Sequence, residues 1–200
     1  PYTTLFRSVH LGGGTPTFLD SAQLRRLAGV LRAHFDFAPD LEMSLEVHPP
    51  VTTFEQLQTL AELGFNRLSM GVQDFDPVVQ ERINRLQPFE QTRDLMAEAR
   101  RLGFRSLNVD LMYGLPSQTV EGFGQTLELL LALRPERVAV FGYAHMPKLI
   151  KHQRVLDGPD LPAGDARLAL LELALSRLQG AGYVSIGLDH FALAGDTLAV

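Results

Sequence analysis

The feature that most constrains the fold is a regular alternation of short apolar runs with longer segments of helical periodicity. The apolar and β-branched runs predict strands at residues 8–11, 42–47, 67–72, 106–112, 137–142 and 183–188. Between them, apolar residues at helical spacing predict helices at residues 21–34, 53–63, 77–85, 89–102, 120–133 and 164–179. Strand starts recur roughly every 35 residues, which is about the length of a strand-helix-strand unit. The alternation therefore predicts an α/β fold with a parallel sheet and outer helices.

Two α/β architectures compete for this pattern, a doubly wound open sheet and a barrel or partial barrel. A barrel builds its site from the ends of many strands, whereas an open sheet binds its ligand at one switch point. Every predicted strand here ends in polar or Gly-rich residues, such as Gly12 to Gly14 after the first strand and Gln73 with Asp74 after the third. Six such strand ends favour a barrel-type site.

Composition excludes several classes of function. The chain has 18 Lys and Arg against 23 Asp and Glu, with a net charge of -5, which argues against a nucleic-acid-binding surface. No apolar run approaches the roughly 20 residues of a membrane-spanning helix, and no start resembles a signal peptide, so we expect a cytoplasmic protein. The chain contains no cysteine, which leaves no disulfide, thiolate metal site or cysteine nucleophile.

Polar residues in or after the apolar strands are the candidates for ligand binding. A Gly triplet after a strand lets backbone N–H groups approach a ligand, although the same triplet is also consistent with a simple tight turn. Glu46 and Asp110 are carboxylates within apolar strands, where they either bind a ligand or form a structural ion pair with an arginine. The arginines considered for such a pair are Arg67, Arg85 and Arg137.

An amide and a guanidinium extend this set. The Gln73 carboxamide together with the two carboxylates suits a ligand rich in hydroxyl and ammonium groups, such as a ribose with an amino-acid tail. Arg85 could bind a carboxylate with its planar fork, or it could be an exposed arginine at a helix end.

The histidines and the known catalytic motifs identify few candidate functional residues. None of the six histidines has metal-ligand spacing, so we predict no metal site, and His190 beside Asp189 is the candidate proton donor or substrate contact. No nucleophile elbow, phosphate-binding loop or paired-carboxylate motif is present, so the sequence assigns no catalytic residue.

Five segments at the strand ends together resemble one enzyme family. They are residues 10–18 (HLGGGTPTF), 64–75 (GFNRLSMGVQDF), 108–119 (NVDLMYGLPSQT), 141–147 (FGYAHMP) and 187–192 (GLDHFA). In this order they resemble the oxygen-independent coproporphyrinogen III oxidases, also called dehydrogenases, which are radical SAM enzymes of haem biosynthesis. The resemblance covers about residue 9 to residue 200. It implies a partial (β/α) barrel of the radical SAM type, truncated at both ends in this chain.

The resemblance also implies the cofactors and the residues that bind them. Members of the family bind two molecules of S-adenosylmethionine (SAM) and a [4Fe-4S] cluster. The positions here that match the family's SAM contacts are Gly13, Gly14, Thr15, Glu46, Gln73, Arg85, Asp110 and Ala144. The glycine turn would offer backbone groups to the methionyl part, the carboxylates would bind ribose hydroxyls or the ammonium group, and Ala144 would leave room beside adenosine.

The reaction implied by the resemblance is an oxidative decarboxylation. Two propionates of coproporphyrinogen III become vinyl groups and give protoporphyrinogen IX, by way of a SAM-derived 5′-deoxyadenosyl radical. The implied partners are coproporphyrinogen III and an unidentified electron donor, with no nucleic acid and no membrane. The implied oligomeric state is a monomer.

The sequence departs from the family in its cluster ligands. The three cysteines of the C-x3-C-x2-C loop and the first barrel strand are absent, so we expect the chain alone to be inactive. We interpret residues 1–8 as a non-native leader and residues 9–200 as a barrel fragment that runs toward a missing C-terminal domain. Two alternatives stay open: a haem chaperone of the same superfamily and a non-catalytic SAM-binding module.

Overall fold

The computed structural model describes residues 5–156, 158 and 160–196. Within them, the strands are β1 (Phe6–Leu11), β2 (Phe37–Val47), β3 (Arg67–Gln73), β4 (Ser106–Tyr113), β5 (Arg137–Gly142), β6 (Tyr183–Ser185) and β7 (His190–Leu193). The α-helices are α1 (Ser21–His34), α2 (Phe54–Glu62), α3 (Pro77–Arg82), α4 (Phe89–Arg101), α5 (Val120–Leu133) and α6 (Asp165–Gly180). Short 3-10 helices span Pro16–Phe18 and Lys151–Leu156.

The strands of the described residues form one sheet in the order β1-β2-β3-β4-β5-β7-β6. β2 pairs in parallel with β1 and with β3, whereas β7 pairs antiparallel with both β5 and β6. The predicted α/β fold with a mostly parallel sheet and outer helices is thus confirmed. β1 begins at Phe6, within the segment interpreted as a leader, whose residues 1–4 lie outside the described residues.

The sequence analysis was wrong about the last strand. The strand predicted at residues 183–188 ends at Ser185, and the chain reverses through a tight turn closed by the Ile186 N–H donating to the His190 carbonyl at 2.9 Å. The few residues between β6 and β7 are too short for the crossover that two neighbouring parallel strands require. The chain therefore returns as the antiparallel strand β7, which the sequence analysis did not predict.

The chain divides into two compact units. Unit 1 comprises residues 1–71 and 91–108, and unit 2 comprises residues 72–90 and 109–200. In unit 1, α1 packs against α2, and both helices begin with a reciprocal cap, Asp20 with Gln23 and Thr53 with Gln56. In unit 2, α5 packs against α6, and the core contains the fully buried Phe123.

The central strands have one apolar face and one polar face. In β3, Leu68, Met70 and Val72 are buried, and the residues between them are half-buried. β2 and β4 alternate in the same way near their carboxyl ends, so that Glu46 and Asp110 lie on the half-buried face of their strands. This alternation leaves polar side chains at the strand ends, where the candidate site residues lie. No helix of the described residues is long and apolar enough to cross a membrane.

Candidate functional site

The glycine turn of unit 1 follows β1 directly. Gly13 and Gly14 have φ angles of 84° and 67°, in the left-handed region that glycine adopts without steric cost. Gly12 is needed for a different reason, because a Cβ there would lie 2.7 Å from His10 Nε2 and 2.8 Å from Glu46 Oε1. The turn therefore admits two polar side chains directly against its backbone.

Glu46 makes two polar contacts beside this turn. Its Oε2 accepts a hydrogen bond from the Gly13 N–H at 3.1 Å, and its Oε1 lies 3.5 Å from His10 Nε2. The other ring nitrogen of His10, Nδ1, is 2.7 Å from the Ser44 hydroxyl. The Arg67 guanidinium pairs with Glu42 at 2.8 Å. The described residues thus give Glu46 a histidine partner, and an ion pair of Glu46 with an arginine stays a prediction.

The segment after the glycine turn is anchored to α2. Thr15 is half-buried and caps the 3-10 helix Pro16–Phe18 through its backbone carbonyl, which accepts from the Phe18 N–H at 2.9 Å. The hydroxyls of Thr17 and Thr52 lie 2.8 Å apart, and Gln56 Nε2 donates to the Thr17 carbonyl at 2.7 Å. These buried contacts hold the residues that follow the glycine turn against α2 and the residues just before it. The sequence analysis did not predict them.

In unit 2, Gln73 ends β3 in a strained conformation. Its φ angle is 71°, and the Asp74 N–H donates to the Val72 carbonyl at 2.9 Å, which makes Gln73 the centre of a γ-turn. The side-chain Oε1 of Gln73 is buried and accepts no hydrogen bond from any described residue. A buried amide oxygen without a donor is costly, so this atom is suited to receive a ligand hydroxyl or N–H group.

Arg85 and Asp110 interact electrostatically within unit 2. Arg85 is half-buried beyond the end of α3, and burial lowers the pKa of its guanidinium while the negative charge of Asp110 opposes that shift. Arg137 instead pairs with Asp196 at 2.7 Å. The interpretation of Arg85 as an exposed arginine is wrong, and both interpretations of Asp110, ligand binding and a structural ion pair, stay predictions.

Ala144 lies just after β5 in an exposed position. Its carbonyl accepts a hydrogen bond from Gln153 Nε2 at 2.9 Å, and Gln153 Oε1 accepts from the Met146 N–H. Gln153 is itself buried, so one amide side chain fixes the backbone on both sides of His145. The sequence analysis missed Gln153 because no periodicity marks it.

A buried polar network follows Gln73. The fully buried carboxylate of Asp74 accepts from Gln118 Nε2 at 2.6 Å and from the Thr126 hydroxyl. Burial raises the pKa of Asp74, and these hydrogen bonds oppose the rise. Asp74 and Gln118 both lie in segments on which the family resemblance rests. That resemblance was the one signal in the sequence that could have marked them, and the sequence analysis assigned no role to either residue.

His190 gives no support for a proton-transfer role. It is exposed at the start of β7, and its ring packs edge-on against Phe141 with centroids 5.6 Å apart. Among the described residues, no group of three or more His, Asp or Glu side chains could hold a metal ion.

Comparison with known proteins gives one consistent family. A profile of the Radical SAM superfamily matches residues 4–130. The chain is 46% identical over 193 residues to the oxygen-independent coproporphyrinogen III oxidase of Pseudomonas aeruginosa and 48% identical over 192 residues to that of Salmonella typhimurium. These alignments cover 96% of this chain but 42% of each relative.

Solved structures agree with the sequence comparison. The Escherichia coli coproporphyrinogen III oxidase, described as a radical SAM enzyme, superposes with a TM-score of 0.94 at 46% identity, covering 96% of this chain and 44% of that chain. Methylornithine synthase superposes with a TM-score of 0.62 at 16% identity, which shows a common fold alone. The resemblance and the partial barrel expected from the sequence motifs are confirmed by these matches.

Proposed function

Since this chain belongs to the radical SAM superfamily, we propose that the whole protein is an oxygen-independent coproporphyrinogen III oxidase to which these residues contribute SAM binding. The relatives reported above carry the oxidase name, which supports this reading over a haem chaperone. We also propose that the whole protein is a monomeric, cytoplasmic enzyme that acts on coproporphyrinogen III and takes electrons from a separate donor.

SAM fits the residues of both units. The observation that carries the proposal is the buried Gln73 Oε1, which has no donor among the described residues and sits on a strained turn. In unit 1, the absence of a Cβ at Gly12 lets Glu46 lie against the turn, where it offers carboxylate oxygens beside the Gly13 N–H. Carboxylates and an amide oxygen match the ribose hydroxyls and the ammonium group of SAM.

We assign roles to the candidate residues unit by unit. In unit 1, Gly13, Gly14 and Thr15 offer backbone groups to a methionyl tail, and Glu46 accepts from an ammonium or hydroxyl group. In unit 2, Gln73 and Asp110 accept from ribose hydroxyls, Arg85 binds a carboxylate, and Ala144 leaves space for adenine. We propose that the whole protein binds two SAM molecules, as the resemblance implies.

A [4Fe-4S] cluster does not fit this chain. Such clusters are held by cysteine thiolates, and the 200-residue sequence contains none. The reaction proposed for the whole protein removes one hydrogen atom, one electron and carbon dioxide from each of two propionates and leaves vinyl groups. SAM supplies the hydrogen-abstracting 5′-deoxyadenosyl radical in this superfamily, and the residues described here would bind and orient it.

A chimera tests the proposal. The segment of the Escherichia coli oxidase aligned with this chain is replaced by residues 5–196, so that the host supplies its own cluster loop and remaining domains. Anaerobic assay with reductant, SAM and coproporphyrinogen III is expected to yield protoporphyrinogen IX. The matched control chimera carries Gln73→Ala and is expected to lose most of this product, because the substitution removes the buried amide oxygen proposed to accept a hydrogen bond from SAM.

A non-catalytic SAM-binding module is the second candidate, because the buried Gln73 oxygen and the Glu46 carboxylate are groups that can bind a ligand without any chemistry. Titration of SAM into the 200-residue chain followed by calorimetry distinguishes the candidates when combined with the chimera. The oxidase proposal would be contradicted if the chain bound SAM and the chimera cleaved SAM but did not decarboxylate coproporphyrinogen III. The SAM-binding module would then be the remaining candidate. Failure of the chain to bind SAM would contradict both.

A further inference from the structure

The strain at Gln73 has to be maintained by the surrounding residues. A γ-turn with positive φ at a non-glycine residue is rare and strained, so it persists only where neighbouring contacts fix it. Val72, on one side of Gln73, is fully buried in β3. The contacts that hold the other side begin with Asp74.

The Asp74 carboxylate is saturated with donors. It is 0% exposed, and its Oδ1 accepts from the Asp76 N–H at 2.8 Å and from the Thr126 hydroxyl. Its Oδ2 accepts from Gln118 Nε2 at 2.6 Å. Three donors on one buried carboxylate leave the side chain a single orientation.

Gln118 cannot rotate to follow a displaced Asp74. Its Oε1 accepts from the Gly114 N–H at 2.6 Å and the Leu115 N–H at 3.3 Å, and its Nε2 also donates to the Met112 carbonyl at 3.0 Å. If the amide were flipped, its NH₂ group would face the N–H groups of Gly114 and Leu115, and donors would meet donors. Gln118 therefore ties Asp74 to the carboxyl end of β4.

The backbone beyond Gln73 is fixed as well. The Asp74 carbonyl accepts from the buried Gln80 Nε2 at 2.8 Å, and the Phe75 N–H donates to the Thr126 hydroxyl oxygen at 3.2 Å. The residues after the turn are thus held at side chain and backbone alike. Gln73, which precedes them, carries the positive φ angle of 71°, and its buried carboxamide oxygen has no hydrogen-bond partner among the described residues.

We propose that Asp74, locked by Gln118 and Thr126, is a positioning residue that aims the Gln73 carboxamide at SAM. The proposal rests on the proposed function in one respect, that the ligand of Gln73 is SAM. Asp74 does not touch the ligand; it acts by holding the backbone turn on which Gln73 sits. If the same network were purely structural, its loss would lower the stability of the chain, and its effect on SAM binding would not depend on Gln73.

A double-mutant cycle separates the two roles. SAM affinity is measured calorimetrically for the 200-residue chain and for Gln73→Ala, Asp74→Asn and the double variant. Asp74→Asn is expected to weaken SAM binding on the order of tenfold in the parent chain and less than about twofold in the Gln73→Ala background. Equal effects in both backgrounds would overturn the proposal, because Asp74 would then act independently of Gln73.

Two further variants keep the test sound. Thr126→Val removes one hydroxyl donor at nearly constant volume, and it replaces Asp74→Asn in the cycle if that variant does not fold. Tyr183→Phe removes another buried hydrogen bond of unit 2, the 2.6 Å bond to the Pro135 carbonyl, and serves as the control for lost stability. It is expected to lower the melting temperature with unchanged SAM affinity. A loss of SAM affinity in Tyr183→Phe similar to that in Asp74→Asn would overturn the proposal.

The strain is tested without any ligand. Glycine adopts a φ of 71° at no steric cost, so Gln73→Gly is expected to be more stable to denaturant than Gln73→Ala. A Gln73→Ala variant at least as stable would overturn the strained turn. Absence of SAM binding by the parent chain would instead overturn the proposed function, so the two failures are distinguishable.

Discussion

Gly12 is the residue at which an added methyl group would disturb the unit 1 site most directly. The two atoms that a Cβ would meet are the far ends of flexible side chains, His10 Nε2 and Glu46 Oε1. His10 and Glu46 are about half exposed, at 54% and 45% of their side-chain surface, so they can move aside at little energetic cost. The orientation of Glu46, rather than the stability of unit 1, depends on Gly12.

We therefore predict that Gly12→Ala weakens SAM binding of the chain on the order of tenfold while lowering the free energy of unfolding by less than about 1 kcal/mol. Calorimetric titration and denaturant unfolding measure the two effects. The control is Gly29→Ala in α1, where a Cβ has no neighbour within 4 Å. It is expected to stabilise unit 1 by about 0.5–1 kcal/mol and to leave binding unchanged. Unchanged SAM affinity in Gly12→Ala would refute the assigned role.

At the scale of elements, Asp160 of the segment between β5 and α6 contacts two other parts of unit 2. Asp160 Oδ2 accepts from Arg82 Nε at 2.9 Å and from the Ser117 hydroxyl at 3.0 Å, and the Arg82 guanidinium also donates to the Val155 carbonyl at 2.9 Å. The hydrogen bond from Arg82, and to a smaller extent that from Ser117, lowers the pKa of Asp160 below its ordinary value of 3.8. The segment is thereby fixed to α3 and to the turn after β4.

The lowered pKa gives a pH dependence with a definite sign. The carboxylate is favoured in the folded state, so its contribution is fully present above pH 3.8 and is lost as the pH falls through the lowered pKa. Asp160→Asn should cost less than about 1 kcal/mol at neutral pH, because the pair is about one-third exposed. The difference in unfolding free energy between parent and variant should shrink toward zero in acid.

Urea unfolding followed between pH 7 and about pH 2.5 measures this difference. Asp94→Asn is the control, since Asp94 is exposed and pairs with the adjacent Arg93. It should change stability little at any pH. If the difference in unfolding free energy for Asp160→Asn stayed constant down to the lowest pH, the ionisation of Asp160 would not be coupled to folding.

At the scale of the whole molecule, β1 is an edge strand of the sheet that the described residues form. Leu5 and Phe6 at its start are 49% and 44% exposed. An edge strand with exposed apolar side chains is a template for pairing with another chain. The solution state of the 200-residue chain should therefore depend on this edge.

We predict that the isolated chain self-associates and that Leu5→Lys reduces the association. Sedimentation velocity at several concentrations measures the effect. Leu188→Lys is the control, because Leu188 is 99% exposed but lies in the turn between β6 and β7. A monomeric parent chain, or equal effects of the two substitutions, would be inconsistent with association through β1.

Local structure was predictable because its causes are local. The bounds of α1 and α5 match the predicted helices at residues 21–34 and 120–133, and Asp20 caps α1 through a contact three residues away. The antiparallel β7 was not predicted, because its position depends on pairing with β5 and not on its own apolar pattern.

The sequence by itself determined the alternation of strands and helices and marked Glu46, Gln73 and Asp110 as polar residues within or directly after apolar strands. Only the tertiary structure decided their surroundings. Glu46 meets His10 because the register of β1 on β2 sets His10 opposite Ser44, 34 positions away. Asp74 meets Gln118 across 44 positions. Such partners depend on strand register and helix packing over long separations, and no local pattern of residues encodes them.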